Sequence, residues 1–402
     1  MMKSAIVKAL FFCGVLTVPA TALTLYDTAP AVGLPESYAV RYGVYVNAGY
    51  DDNLNNSKDN REGGGFVRYG VTASYADNEA VTKKSYDVRL GGQLYNKTAN
   101  GTDQRNFSDI SVNARLSHAF SSSSQYAGSF VLRYSPEPDY ANGISSAHTQ
   151  GDCLNWNLSN SYSQTIDCRW SWTANFGYSG NVYTGSDYEV DDRTYVTGGL
   201  SLNFRHSART TYSFSATWRD EMRSEGYDSD SIYTTFSVNH AISPVASVSL
   251  TAGAQVKMID GENNIYPNLR LGYNRQLTKG LSMRAYLSLD NENVDTYNRY
   301  SRSNYLSDMT WRVGLDCSYV FTPRVSFSFG TSLLDASYSD GTRGAQDTGR
   351  TTWTAFAGMN YKFTEQLSGN LRYNYTYSDS ESNFGADDYY RNVVSAGLSY
   401  SF

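Results

Sequence analysis

The chain has 402 residues and a formal net charge of -6, and its mean hydropathy is negative. Beyond the N-terminus no stretch is apolar over the ~20 residues that a membrane-crossing helix needs. With 35 Tyr, 33 Gly and 8 Pro, and few Leu, Glu or Lys, the composition argues against a helical or α/β enzyme and for many strands joined by turns.

The N-terminus reads as a targeting segment. Lys3 and Lys8 give a basic start, residues 9–18 form an apolar core, and Ala20-Thr21-Ala22 is a small-x-small cleavage site. The expectation is a signal peptide over residues 1–22, cleaved after Ala22, and passage through an inner membrane. Residues 23–37, with Pro30 and Pro35, form a short irregular leader.

From residue 38 onward apolar and polar residues alternate with period two, the pattern of a strand with one apolar face. Val40, Tyr42, Val44, Val46, Ala48 and Tyr50 oppose Arg41, Gly43, Tyr45, Asn47 and Gly49. Val67 to Tyr75 and Tyr86 to Leu94 repeat this, followed by sets starting at Ile110, Tyr126, Leu154, Trp170, Val196, Tyr212, Phe236 and Val248. Further sets start at Leu269, Leu281, Trp311, Val325, Trp353 and Leu367. The last, Val394, Ala396, Leu398, Tyr400 and Phe402, opposes Ser395, Gly397, Ser399 and Ser401 and ends on an aromatic residue. That makes about eighteen strands of roughly ten residues, the length of a tilted membrane strand.

The connections alternate in length. Gaps such as 121–124, 206–209, 243–245, 322–324 and 364–366 are short; 51–64, 136–152, 180–192, 292–308, 339–350 and 378–389 are long and polar. Short turns on one side and long loops on the other are the habit of outer-membrane barrels, and an even strand count lets the last strand close on the first. Aromatic residues at strand ends read as interfacial girdles. The predicted fold is all-β: a transmembrane antiparallel up-and-down β-barrel over residues 38–402.

Cys13 leaves with the signal peptide, so Cys153, Cys168 and Cys317 remain. An odd number excludes a fully paired framework. Cys153 and Cys168 flank one strand, too far apart at about 3.3 Å per residue to bridge.

With its signal peptide, the Tyr50-Asp51-Asp52-Asn53 run after the first strand, the alternating strands and terminal Phe402, the chain resembles the β-barrel porin type 2 family. The resemblance covers most of the mature chain. It implies an outer-membrane barrel of a Gram-negative bacterium, in some members encoded near exopolysaccharide genes, and no catalytic residues. The terminal strand also resembles the signal read by barrel-assembly machinery, with Tyr400 and Phe402 as its aromatic positions.

Strand parity turns Arg41, Arg68, Arg89, Arg115 and Arg133 inward on five successive strands, and Arg219, Arg270, Arg284, Arg312 and Arg372 later. Inward acids are fewer: Asp87, Asp109, Asp290 and Asp316. Such arginines either cross-link the wall to aspartates or draw anions into the lumen; both readings stay open. Inward Tyr45 and Tyr286 are slim support for a polymer track. Asp51, Asn53, Asn55, Ser57, Asp59 and Glu62 occupy positions 1, 3, 5, 7, 9 and 12 of a calcium-loop template. Asn56 replaces its turn glycine and strands flank it, so a solvated loop is expected there. His118 and His240 fall outward near short turns, His206 lies in a turn, and His148 with Asp152 sits in a long loop. No catalytic set, cofactor or nucleic-acid motif is recognised.

The expected function is a porin-like channel for passive diffusion, anion-biased by inward arginine, with an exopolysaccharide export barrel as the alternative. Expected partners are outer-membrane lipid and lipopolysaccharide, the assembly machinery, and small solutes or polysaccharide.

Overall fold

The computed structural model describes residues 40–54, 57–59, 61–96, 107–135, 152–184, 192–224, 228–259, 261–292, 297–298, 303–340, 348–380 and 388–402. The segments expected to be a signal peptide (1–22) and a leader (23–37), together with Asn55, Asn56 and His148, lie outside the described residues.

The strands are β1 (Val40–Asp51), β2 (Gly64–Asn78), β3 (Thr82–Tyr95), β4 (Phe107–Ala119), β5 (Ser124–Ser135), β6 (Asp152–Thr165), β7 (Trp170–Thr184), β8 (Arg193–Arg205) and β9 (Thr210–Arg223). They continue as β10 (Ser229–Ser243), β11 (Ala246–Ile259), β12 (Glu262–Gln276), β13 (Leu281–Glu292), β14 (Tyr297–Asn298) and β15 (Ser303–Thr322). The last are β16 (Val325–Asp340), β17 (Thr348–Lys362), β18 (Leu367–Ser380) and β19 (Tyr389–Ser401). β14 is a two-residue strand paired with the start of β15. The other eighteen form a closed antiparallel barrel, each paired with its sequence neighbour and β19 returning to β1.

Every predicted strand is present, but the strands run from 12 residues in β1 to 20 in β15. Backbone pairing continues past the point where the apolar stripe stops. β12 shows why. Its first half is polar and carries Pro267, and sequence alternation detects only the part from Leu269. β11 pairs with all of it, whereas β13 pairs with it only from Leu269 onward, so Pro267 sits where β12 lacks β13 as a partner. β11 and β12 stay paired up to Ile259 and Glu262, with Gly261 at φ +82°.

The apolar stripes face outward. Val44, Val71, Leu90, Leu200, Leu250, Val313, Leu371 and Leu398 are between 42% and 51% exposed, a surface that is stable only against lipid. An aromatic girdle encircles the short-turn end. His118 meets Phe120, Phe120 meets Tyr162, and Tyr162 meets Trp172. Trp170, Phe204, Tyr212 and Phe236 continue it, as do Tyr319, Phe321 and Phe327. Phe402 stacks on Tyr42 with centroids 6.2 Å apart.

The short turns share one device. The side-chain oxygen of Ser121, Asp167, Ser207, Thr278, Thr322 or Thr364 accepts the backbone N–H groups two and three residues on. Donors that a tight turn leaves free are thereby satisfied locally.

Candidate functional site

The inward residues form rows across the strands, because antiparallel register places them side by side. In one row Thr72 of β2 pairs with Arg89, Arg89 with Ser111, and Ser111 with Arg133. In the next, Arg41 pairs with Ser74, Ser74 with Asp87, and Asp87 with Asn113.

The inward arginines divide into those with a carboxylate partner and those without. Arg68 forms a buried ion pair with Asp109. Arg270 reaches Asp290 at 3.0 Å, and Asn268 donates to the same carboxylate. By contrast, Arg41, Arg89, Arg115 and Arg133, on the neighbouring strands β1, β3, β4 and β5, have no carboxylate partner among the described residues. Arg284 lies beside Asp316 in register. Arg372 donates from Nε to Asn374 Oδ1 at 3.1 Å. Arg312 lies half-buried on β15.

Several of these guanidinium groups lie over inward aromatic rings. Arg219 sits 4.1 Å from the Tyr195 ring, Arg89 5.5 Å from Tyr45, Arg284 5.6 Å from Tyr286, and Arg372 5.8 Å from Phe356. Sequence reading noted only Tyr45 and Tyr286. Phe66, Tyr195, Phe356 and Tyr389 stand at polar-parity positions of their strands, and that displaced aromatic was the available signal.

Exposure along the wall is graded. Near the long-loop end, Arg68, Gln93, Asp109, Arg193, Glu221, Lys257, Arg350 and Arg391 are buried. Towards the short turns, Asp87, Arg115, Ser282 and Arg284 are exposed. Side chains therefore crowd the outer half of the lumen and leave the inner half open. In the crowded half Glu221 is held by Arg223 at 3.0 Å and Arg193 at 3.8 Å.

The calcium-like stretch does other work. Asp51 Oδ2 accepts Arg391 Nε at 2.8 Å, and its Oδ1 accepts the backbone N–H of Asn53 at 3.1 Å. Asp52 accepts the backbone N–H and the side-chain amide of Asn392, at 2.6 and 2.7 Å. Asn53 Nδ2 donates to the carbonyls of Tyr390 and Ser57 at 2.7 and 2.9 Å. Lys58 pairs with Asp388 at 2.8 Å, and the Arg61 guanidinium lies 3.6 Å over the Tyr390 ring. These side chains join the end of β1 to the start of β19. Nine register pairs, Gly43↔Ser401 to Asp51↔Val393, complete the seam. Asp51 and Asn53 are 0% exposed, so these two belong to a folded clip rather than to the solvated loop expected, while Asp59 is exposed. Asp59 and Glu62 lie beyond it in the same connection.

At the other end of the seam, Phe402 exchanges backbone hydrogen bonds with Tyr42 at 2.9 and 3.2 Å. The Tyr400 hydroxyl donates to Gln366 Oε1 at 3.0 Å. His118 and His240 are each bonded through Nδ1 to a threonine hydroxyl, Thr82 at 2.8 Å and Thr210 at 2.9 Å. Cys153 is buried at the far end of β6 from exposed Cys168. Among the described residues no three His, Cys, Asp or Glu side chains group as a metal site.

Comparison with known proteins agrees with this architecture. The family described as outer membrane protein beta-barrel domain matches residues 248–402. No curated protein sequence matches the chain. Among solved structures, OccK1 (OpdK) of Pseudomonas aeruginosa is 10% identical, over 90% of this chain and 99% of that chain, with a TM-score of 0.50. Pseudomonas aeruginosa OpdK with vanillate is 11% identical over the same shares, also at 0.50. The siderophore receptor PirA of Acinetobacter baumannii is 9% identical, over 90% of this chain and 80% of that chain, at 0.49. At such identities the likeness is one of fold, that of an outer-membrane β-barrel. The family described as protein of unknown function DUF481 matches residues 96–298, just over half of the chain, and the protein belongs to that family.

Proposed function

We propose that the protein is a diffusion channel of the outer membrane that favours small anions. The carrying observation is the unpaired sector: Arg41, Arg89, Arg115 and Arg133 stand on the inner wall of β1, β3, β4 and β5 without a carboxylate partner among the described residues. Unpaired guanidinium groups in a water-filled lumen raise the local anion concentration and offer paired donors to carboxylate or phosphate. The crowded outer half supports selection there, and the open inner half supports release. The solved OpdK structure with vanillate is of a channel-like barrel holding a carboxylate; for this chain, a carboxylate cargo is part of the proposal.

Membership of the β-barrel porin type 2 family and cleavage of residues 1–22 as a signal peptide belong to the same proposal. So do contact with lipopolysaccharide and reading of Tyr400 and Phe402 by assembly machinery. The second reading, an export barrel for exopolysaccharide, is favoured by the inward aromatics Tyr45, Phe66, Tyr195, Phe356 and Tyr389, which a polymer could follow.

Purified protein in planar bilayers separates the two. The channel reading predicts discrete conductance steps and a reversal potential on the anion side under a salt gradient. Absent conductance, with loss of surface polymer on gene deletion, would favour export instead.

A further inference from the structure

On the inner wall of β1 to β4, beside the seam, a recess of about 150 Å³ opens to the lumen. Arg41, Tyr45, Asn47, Asp87, Arg89 and Asn113 line it, among serine and threonine hydroxyls. The side chain of Tyr45, part of its lining, reaches over two glycines. The Tyr45 hydroxyl lies where a Cβ on Gly70 or Gly91 would stand, 2.6 and 2.4 Å away, so the ring lies flat across two neighbouring strands.

Two buried polar atoms here have no hydrogen-bond partner among the described residues, the Tyr45 hydroxyl and Asn47 Oδ1. Tyr45 is 9% exposed and Asn47 5%. A buried polar atom without a partner is uncommon and calls for one. Arg41, Arg89 and Asp87 likewise have no ion pair among the described residues. Two guanidinium groups against one carboxylate leave a single positive charge. Thr72, Ser74, Ser111, Asn113 and Ser399 add hydroxyl and amide groups that donate and accept hydrogen bonds, as ligand hydroxyls require, beside the apolar lining of Val44, Val46, Val88 and Leu398.

We propose that this recess is a binding subsite for a hydroxylated monocarboxylate one sugar ring in size, of the hexuronic acid class. The carboxylate would take Arg41 and Arg89. Ring hydroxyls would donate to Asp87 and Asn47 Oδ1 and meet the Tyr45 hydroxyl. The proposal rests on a solvent-filled lumen, as the channel reading does, but not on conductance.

The test is calorimetric titration of the full chain in detergent micelles with D-glucuronate, D-glucose and acetate as separate probes. Glucuronate is expected to bind, with glucose and acetate each about tenfold weaker or more, since each lacks one half of the recognition. Tyr45→Phe keeps the ring over Gly70 and Gly91 and is expected to weaken glucuronate about tenfold. Arg89→Gln, an independent variant, should weaken glucuronate but not glucose. Arg324→Gln, in the β15–β16 turn, should change nothing. Heat-modifiable electrophoretic mobility checks that each variant is folded. No glucuronate binding, equal affinity for all three probes, or wild-type affinity in both folded recess variants would overturn the proposal. Binding without conductance would keep the subsite and remove the channel; conductance without binding would do the reverse.

Discussion

An inward arginine on this barrel either holds the wall together or faces the lumen, and the two kinds respond differently to replacement. Arg68 and Asp109 are 5% and 3% exposed and paired. Arg68→Ala leaves a buried carboxylate without its cation and is expected to cost about 3–5 kcal/mol. Adding Asp109→Ala should restore most of that, read from urea unfolding in micelles. Arg133→Ser removes no ion pair and should stay within about 0.5 kcal/mol. Parity alone identified Arg68 and Arg133 as inward. It could not separate them, because pairing depends on how far neighbouring strands are offset. Arg68 is on β2 and Asp109 on β4, with glycine at position 91 of the strand between, and only the register brings them together. Parity also left Tyr195 and Phe356 unremarked, since an aromatic residue on a polar face resembles noise until a guanidinium is seen above it.

At the scale of the element, the strands were legible because each carries its own apolar stripe, and β12 was half-missed because its first half carries none. The short turns were located by length, yet their chemistry was readable too: Ser121, Asp167, Ser207, Thr278, Thr322 and Thr364 each open a turn with an oxygen. Thr322→Ala removes two side-chain acceptor contacts and should lower unfolding stability by about 1 kcal/mol. Asp167 adds a pH signature. The backbone N–H groups of Arg169 and then Trp170 hold its carboxyl below the usual carboxylate range. A lowered folded-state value means that its stabilisation is present above the ordinary carboxylate pKa and is lost as pH falls through the depressed one. Wild type and Asp167→Ala should therefore differ in urea midpoint at pH 7 and converge in acid. A constant difference down to the lowest pH would contradict this assignment.

For the whole molecule, closure is the step on which lumen, wall and channel depend. Sequence indicated that β19 returns to β1, because the strand count is even and the last strand ends on an aromatic residue. It missed the fastening: the residues after β1 read as a solvated loop, whereas the acceptors of Asp51 and Asp52 are taken by Arg391 and Asn392, over 300 residues away in the chain. Asp51→Ala should open the long-loop end of the seam and lower stability by about 3–5 kcal/mol, because buried Arg391 loses the carboxylate it holds there. Deleting Phe402 removes the stacked contact with Tyr42 and should reduce insertion into the outer membrane more than it alters the conductance of barrels that do insert. The central claim, that an unpaired arginine sector makes the lumen anion-favouring, is tested most directly by reversal potential. Wild type and the triple variant Arg89→Ser, Arg115→Ser, Arg133→Ser are compared in planar bilayers across the same potassium chloride gradient. Anion preference in the wild type and a shift towards the cation side in the triple variant are predicted; identical reversal potentials would contradict the claim.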